Sequence, residues 1–109
     1  MSVFSDFNID SGTGLYNFLK ASGIDISSSS GLDGTDNYII LKNFTSFNWK
    51  TAEECVRVNC KEEAMRSIEL KTNLKHFDNG KGDKTRPYSF FVRTLDELID
   101  IIYILKRRN

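Results

Sequence analysis

The sequence predicts a small α+β domain in which helices pack on a mainly antiparallel sheet. Three observations indicate this class. The 109-residue chain has the length of one domain. A helical apolar pattern closes the chain, and short runs of β-forming residues separate the helical segments. We therefore expect a single globular domain, residues 1–109, with the element order α-β-α-β-β-α. Its sheet has three or more strands, and the C-terminal helix packs against it.

The composition supports a folded protein. Hydrophobic residues make up 39% of the chain and charged residues 28%, which is typical of a globular rather than a disordered protein. Aromatic residues make up 12% and supply bulky side chains for a core.

The first helix is predicted within Asp10–Gly23, because apolar residues recur there at helical spacing. Gly23 stands where a glycine commonly follows a helix end. The segment 24–37 is rich in Ser, Gly and Asp and has little apolar surface to bury, so we expect a loop. The apolar run in Tyr38–Phe44 is typical of a strand buried on both faces.

A second helix is predicted from Thr51 to about Asn59. Thr51 and Glu54 have the spacing of a capping box, in which each side chain bonds the backbone amide of the other residue. The sequence leaves open whether this helix continues through 60–67, because the apolar pattern degrades there. From Ile68 the apolar period changes to two, so Ile68–Lys75 is predicted to be a half-buried strand with a charged outer face.

Residues 78–87 are predicted to form a long basic hairpin loop between Ile68–Lys75 and a strand in 88–94. Asn79 and Gly80 are a strong turn signal, because both residue types tolerate positive φ. The loop lacks the features of a phosphate-binding loop, which must lead into a helix N-terminus, whereas a strand follows here. Three aromatic residues of that strand can stack on nucleic-acid bases: Tyr88, Phe90 and Phe91. Alternation along a strand should direct one set of them into the core instead.

The most regular helical pattern lies in Thr94–Asn109. Thr94 and Glu97 form a second capping box, and the helix has acidic residues at its start and basic residues at its end, as the helix dipole favours. One broad apolar arc is predicted to face the sheet: Leu95, Leu98, Ile99, Ile101, Ile102 and Leu105. Ile104 is predicted to project to the solvent side, with Tyr103 at the border, as an exposed apolar contact.

Charge is balanced overall but unevenly placed. The chain has 15 basic and 15 acidic residues, so its net charge favours neither nucleic acid nor a membrane as partner. Residues 1–70 carry ten acidic and six basic side chains, whereas residues 71–109 carry nine basic and five acidic. We expect this polarity to matter for binding.

No catalytic or metal-binding constellation is predicted. On a helix, Cys55 and Cys60 point about 140° apart, which suits neither a disulfide nor a shared metal, so we expect free thiols in or near the core. His76 is the single histidine and has no Ser or Cys partner in sequence, so it is interpreted as a surface residue. We expect a protein that is not an enzyme and takes no cofactor or metal.

A cytoplasmic location without membrane association is predicted. Met1–Asp10 lacks the basic and apolar regions of a signal peptide. The longest apolar run, Ile101–Leu105, is far too short to span a bilayer.

Two functional hypotheses follow. The first is a small protein-binding regulator or inhibitor, of phage, mobile-element or immunity-protein type, whose partner is another protein, acidic in character or a second copy of the chain. The alternative is a nucleic-acid-binding protein that uses the basic hairpin 75–93 and the C-terminal basic tail. The residues predicted to bind a partner, either protein or nucleic acid, are Lys71, Lys75, Lys81, Lys84, Arg86, Arg93, Tyr103, Ile104, Arg107 and Arg108. The sequence leaves open whether the loop contacts protein, nucleic acid or only water.

Overall fold

The computed structural model describes residues 3–80 and 84–107. The predicted fold class is confirmed, since three α-helices of these residues pack on one antiparallel sheet of six strands. The elements in chain order are a 3-10 turn Phe4–Phe7, α1 Gly12–Ala21, β1 Ile26–Ser30, β2 Tyr38–Leu41, β3 Ser46–Lys50, β4 Cys55–Cys60, α2 Glu62–Lys71, β5 Phe77–Asp78, β6 Tyr88–Val92 and α3 Leu95–Arg107. None of the described helices is long and apolar enough to cross a membrane.

The strands lie in the spatial order β1-β2-β3-β4-β6-β5, and every neighbouring pair is antiparallel. The first four strands form a meander. The chain then passes through α2 and returns as the β5–β6 hairpin, which places β6 beside β4. Val56 consequently lies opposite Val92, and Cys60 lies opposite Tyr88.

The helices cover one face of the sheet. Alternate residues of β3, β4 and β6 point to this face and join the helices in one buried core. The strands contribute Phe47, Trp49, Val56, Val58, Phe90 and Val92, and the helices contribute Leu15, Leu19, Ile68, Leu98, Ile101 and Leu105. The intervening strand residues, such as Arg57 and Phe91, are only half-buried and lie outside that core. The second face of the sheet is therefore not covered by any described helix.

Both the first and the last predicted helix are confirmed. The Ser11 hydroxyl accepts a hydrogen bond from the Gly14 amide at 3.1 Å and caps α1. In α3 the predicted capping box forms: the Glu97 amide donates to Thr94 Oγ1 at 3.2 Å, and the Thr94 amide donates to Glu97 Oε1 at 3.3 Å. Two side chains of α3 differ from the prediction, because Ile99 is 46% exposed and Ile104 is buried at 4%.

The predicted helix from Thr51 to Asn59 is wrong. Residues 51–54 form the turn of the β3–β4 hairpin, and β4 follows. Glu54 adopts a φ of 51°, in the left-handed region, which a helix start does not allow. The buried residues of β4 then alternate with Arg57 and Asn59, so the strand period of two prevails over the capping-box signal.

The predicted strand Ile68–Lys75 is also wrong, because α2 runs through Glu62–Lys71. Its buried residues, Ala64, Met65 and Ile68, have helical spacing. Leu70 is 82% exposed, so the apolar alternation from Ile68 onward does not mark a sheet face. The helix in 62–67 is a new helix rather than a continuation of the one predicted before it.

The loop predicted for 24–37 is corrected in part, since Ile26–Ser30 forms the edge strand β1. Its serines are exposed, and backbone pairing with β2 holds the strand without buried side chains. The strand predicted in Tyr38–Phe44 is confirmed for Tyr38–Leu41, but it is buried on one face only: Ile39 and Leu41 are buried, whereas Tyr38 is exposed.

Candidate functional site

The sheet face without helices is the candidate functional surface, which we call the open face. Strand alternation and register assign its residues. They are Ser28, Ser30, Tyr38, Ile40, Ser46, Asn48, Lys50, Cys55, Arg57, Asn59, Phe77, Ser89 and Phe91, with Arg93 directly after β6. These described strand positions include three cations and no carboxylate, in a chain of zero net charge. The carboxylate of Glu53, in the adjoining β3–β4 turn, lies close enough to act on Cys55.

Four residues of the open face form a compact group, which we call the aromatic-arginine cluster: Arg57, Phe77, Phe91 and Arg93. The two phenyl rings stack with their centres 4.8 Å apart and an interplanar angle of 27°. The Arg57 guanidinium lies 5.3 Å from the centre of the Phe77 ring and 5.9 Å from that of Phe91. Arg93 lies 5.4 Å from the centre of the Phe91 ring. Both guanidinium groups are within the range of a cation–π contact.

Hydrogen bonds fix the position of Arg57. Its Nε donates to Asn59 Oδ1 at 3.1 Å, and its Nη2 donates to Asn79 Oδ1 at 2.5 Å and to Ser89 Oγ at 3.4 Å. These acceptors are neutral oxygens, so they orient the guanidinium without cancelling its charge. No carboxylate of the described chain lies within salt-bridge distance of Arg57. A positive charge is thus held rigidly beside two aromatic rings.

The described residues confirm a hairpin where the loop 78–87 was predicted, since β5 pairs with β6, although the first strand is β5 rather than Ile68–Lys75. Asp78 belongs to β5, and residues 81–83 of the loop lie outside the described residues. Asn79 closes the base of the loop, since its amide donates to the Pro87 carbonyl at 3.0 Å and its side chain donates to the Arg86 carbonyl at 2.7 Å. Gly80 has a φ of 84°, as the turn prediction requires. Because Asn79 also binds Arg57, it connects the loop to the aromatic-arginine cluster.

The basic residues predicted to bind a partner do not form one patch. Lys84 is exposed, while Arg86 reaches the β2–β3 turn and donates from Nε to the Phe44 carbonyl. Lys71 and Lys75 are exposed at the end of α2 and in the segment that follows it. Lys81 and Arg108 lie outside the described residues. Of the ten predicted residues, Arg93 belongs to the open face.

The predicted residues of α3 lie on the helix side of the sheet. The Arg107 guanidinium donates to the Tyr103 hydroxyl at 2.9 Å and lies 5.5 Å from the centre of its ring. Lys106 donates to the Ser22 carbonyl at 2.8 Å, which ties the end of α3 to the end of α1. Ile104, expected at the surface, is buried in the core and cannot contact a partner. The exposed apolar residue next to Tyr103 on the helix surface is instead Ile99, one turn earlier.

His76 and Glu69 form a hydrogen-bonded pair that the sequence did not predict. The Glu69 Oε2 atom accepts from the His76 backbone amide at 2.7 Å and lies 2.8 Å from His76 Nδ1. These bonds hold the pKa of the Glu69 carboxyl below its ordinary value. The His76 ring also packs edge-on against Tyr88 at 5.1 Å. The pair therefore anchors the connection between α2 and β5.

The two cysteines form no disulfide and are buried, as expected, but for a different reason. Residues five apart on a strand point to opposite faces, which separates the two thiols of β4. Burial raises the pKa of the Cys55 thiol, and the nearby Arg93 charge opposes this shift. No group of three or more potential metal ligands occurs among residues 3–80 and 84–107.

Comparisons with protein-family models, with curated proteins and with solved structures find no match for this chain. What the chain does is therefore inferred from its own residues.

Arg57 and Phe77 were not among the site residues predicted from the sequence. Arg57 fell inside the wrongly predicted helix, and Phe77 fell between the predicted strand and its loop. The apolar–polar alternation of Val56, Arg57, Val58 and Asn59 is the signal that indicates a half-exposed strand here. It is only four residues long and competes with the capping-box spacing before it.

Proposed function

We propose that this protein binds single-stranded nucleic acid on the open face of its sheet. The observation that carries the proposal is the juxtaposition of Phe77, Phe91, Arg57 and Arg93 on a face that no described helix covers. Strand pairing of β4, β6 and β5 creates this juxtaposition.

The chemistry of the aromatic-arginine cluster suits exposed bases and phosphates. Aromatic side chains on a sheet provide surfaces on which bases stack, at about 1–3 kcal/mol per base. Arginine meets phosphate oxygens through its planar fork and can also stack on a base. A single strand is favoured over a duplex, because the bases of a duplex are covered by their neighbours and a flat sheet cannot reach them.

Zero net charge does not oppose this proposal, because the charges are segregated. Three acidic residues in the first turns of α2 and α3 lie on the helix side: Glu63, Asp96 and Glu97. The open face has Lys50, Arg57 and Arg93. A phosphate backbone responds to this local field rather than to the total charge.

Fluorescence anisotropy with a labelled single-stranded thymidine 20-mer, and with a duplex of equal length, tests the proposal. We expect single-strand binding at about 50 mM salt that weakens steeply at about 200 mM, and weaker duplex binding. Phe91→Ala should lower the affinity at least about fivefold, which corresponds to the loss of about 1 kcal/mol of stacking. The matched control is Phe7→Ala, since Phe7 is 47% exposed in the N-terminal 3-10 turn and lies off the open face.

Absence of single-strand binding at about 50 mM salt would reject the proposal, because phosphate contacts are strongest at low salt. Stacking on this face would be rejected if the Phe91→Ala variant bound the single strand as tightly as the wild type does. It would also be rejected if the duplex bound as tightly as the single strand.

A second candidate function, contact with another protein, is favoured by one feature of α3. Ile99 and Tyr103, at 46% and 60% exposure, lie one turn apart on the solvent side of the helix. Asp96 precedes this apolar stripe, Asp100 lies between its two residues, and Arg107 follows it. Two copies of α3 packed antiparallel would bring the acidic half of each helix to the basic half of the other, the self-complementary arrangement of a twofold dimer.

Sedimentation of the protein over a wide concentration range tests for such a dimer. A dimer that Ile99→Glu dissociates, while Val3→Glu at another exposed apolar residue leaves it intact, would support the contact. A monomer at every concentration would reject it.

A further inference from the structure

A groove continues the open face toward the hairpin loop. It has a volume of about 460 Å³ and is lined by Phe44, Lys61, Glu62, Lys84, Thr85 and Pro87. Cys60 lies opposite Tyr88 and points to the core, so the next residues along, Lys61 and Pro87, emerge on the side of Asn59 and Ser89. The groove and the aromatic-arginine cluster therefore belong to one continuous surface.

Phe44 has an unusual conformation in this groove. It ends the tight β2–β3 turn, in which its amide donates to the Leu41 carbonyl at 3.0 Å and the Leu41 amide donates to the Thr45 carbonyl at 2.9 Å. Its φ is 72°, a left-handed value that suits Gly or Asn and is rare for a bulky side chain. The side chain is nevertheless 55% exposed and outside the core. Folding does not account for a large aromatic residue at this position.

The charges around Phe44 favour an anionic ligand. Lys61 Nζ lies 4.8 Å from the centre of the Phe44 ring, and exposed Lys84 lines the same groove. Among the described lining residues Glu62 carries the carboxylate, and it forms an ion pair with Arg66 of the same helix. The groove thus repeats the combination of an aromatic ring and a nearby cation that defines the aromatic-arginine cluster.

We propose that one nucleic-acid strand runs along β4 from the aromatic-arginine cluster to this groove, where a base stacks on Phe44 and phosphates meet Lys61 and Lys84. This inference rests on the proposed function. Arg57 and Lys61 are four residues apart on an extended chain, about 13 Å at 3.3 Å per residue. That distance corresponds to about four stacked nucleotides at 3.4 Å each. A strand that reaches both ends is therefore longer than the one or two bases that the phenyl pair can hold.

Amide chemical shifts of the isotopically labelled protein, titrated with a thymidine octamer, locate the bound strand directly. We expect shifts at residues 57, 91 and 93 and also at residues 44 and 61. Shifts confined to the first group would overturn the extension of the site but leave the proposed function standing. An absence of shifts in both groups would overturn both proposals.

Phe44→Gly separates a binding role from a structural one. Glycine suits the left-handed turn, so the melting temperature should stay the same or rise. Affinity for the octamer should fall at least about fivefold, while affinity for a thymidine dimer, too short to reach the groove, should not change. A fall in melting temperature with unchanged octamer affinity would overturn the inference and assign Phe44 a structural role. Phe7→Ala again serves as the control for loss of an exposed ring.

Discussion

The side chain of Asn37 hydrogen-bonds to both backbone groups of Trp49. Asn37 Oδ1 accepts from the Trp49 amide at 2.6 Å, and Asn37 Nδ2 donates to the Trp49 carbonyl at 3.0 Å. Both residues are buried, at 2% and 3% exposure. Asn37 lies directly before β2, and the β2–β3 backbone pairing includes Phe47 but not Trp49. The Asn37 side chain supplies the hydrogen bonds that a backbone partner in β2 would otherwise give to Trp49.

Asn37→Ala should lower the free energy of unfolding by about 2–6 kcal/mol, because two buried backbone groups of Trp49 lose their partners at about 1–3 kcal/mol each. Urea denaturation followed by Trp49 fluorescence measures the change. Asn17→Ala, an exposed asparagine of α1, is the control and should be neutral or slightly stabilising. A loss below about 0.5 kcal/mol for Asn37→Ala would contradict the bonds.

Thr94→Ala removes one half of the capping box of α3 and should cost about 1 kcal/mol of stability. Thr51 has the same sequence spacing to a glutamate but lies exposed in the β3–β4 turn, where no helix starts. Thr51→Ala should therefore change the free energy of unfolding by less than about 0.5 kcal/mol. Equal losses in the two variants would show that the capping bonds do not contribute.

The Glu69–His76 pair predicts a pH dependence of stability. Because hydrogen bonds from His76 lower the folded-state pKa of Glu69, the native state favours the carboxylate. This contribution is complete above the ordinary glutamate pKa, about 4.3, and is lost as the pH falls through the lower folded-state value. Glu69→Gln should be less stable than the wild type at pH 6, and the difference should narrow toward pH 3.

Denaturant titrations of both proteins at each pH measure this difference in the free energy of unfolding. Glu53→Gln, in the exposed β3–β4 turn, controls for removal of one carboxylate. A gap between wild type and Glu69→Gln that stays constant with pH would contradict the assignment.

Arg93 and Arg107 form a matched pair for testing the electrostatics of nucleic-acid binding. Both are exposed, but Arg93 lies on the open face, whereas Arg107 lies at the end of α3 on the helix side. Arg93→Ala should weaken single-strand binding and reduce the slope of log affinity against log salt by about 1. Arg107→Ala should leave the slope unchanged, and an equal effect of both substitutions would indicate attraction without a defined site.

The two thiols should be protected in the native state. Cys55 and Cys60 are fully buried, and burial raises the pKa of the Cys55 thiol, so little reactive thiolate reaches solvent. A thiol reagent at neutral pH should react slowly with the folded protein and rapidly with both cysteines in about 6 M guanidinium chloride. Rapid reaction of one equivalent with the folded protein would show that a thiol is accessible.

The sequence by itself determined the α+β class, the first and last helices, the strand at Tyr38–Leu41 and the strand at Tyr88–Val92. In α3, the apolar arc, the capping box and the dipole charges all favour the same structure, so local signals were sufficient. The Asn79–Gly80 turn was predictable for a similar reason, because positive φ is a property of the residue types themselves.

The tertiary structure decided the segment from Thr51 to Lys75, where local signals conflict. Cys55–Cys60 carries a helical start signal and an alternating core pattern, and pairing with β3 on one side and β6 on the other selects the strand. The alternation of apolar and polar residues in Ile68–Lys75 does not correspond to a strand. Burial of Ile68 in the core selects the helix, and the helix leaves Leu70 in solvent. Short apolar runs do not distinguish the two periods, and only packing partners resolve them.

The candidate site depended on tertiary structure almost entirely. Arg57 meets Phe77 and Phe91 because β6 enters the sheet between β4 and β5, a neighbour relation that no local pattern encodes. The described strand positions of the open face lack carboxylates. The count of charges along the chain does not reveal this, because it does not say which residues share a face. The residue types were visible in the sequence, whereas their common face followed from strand order and register.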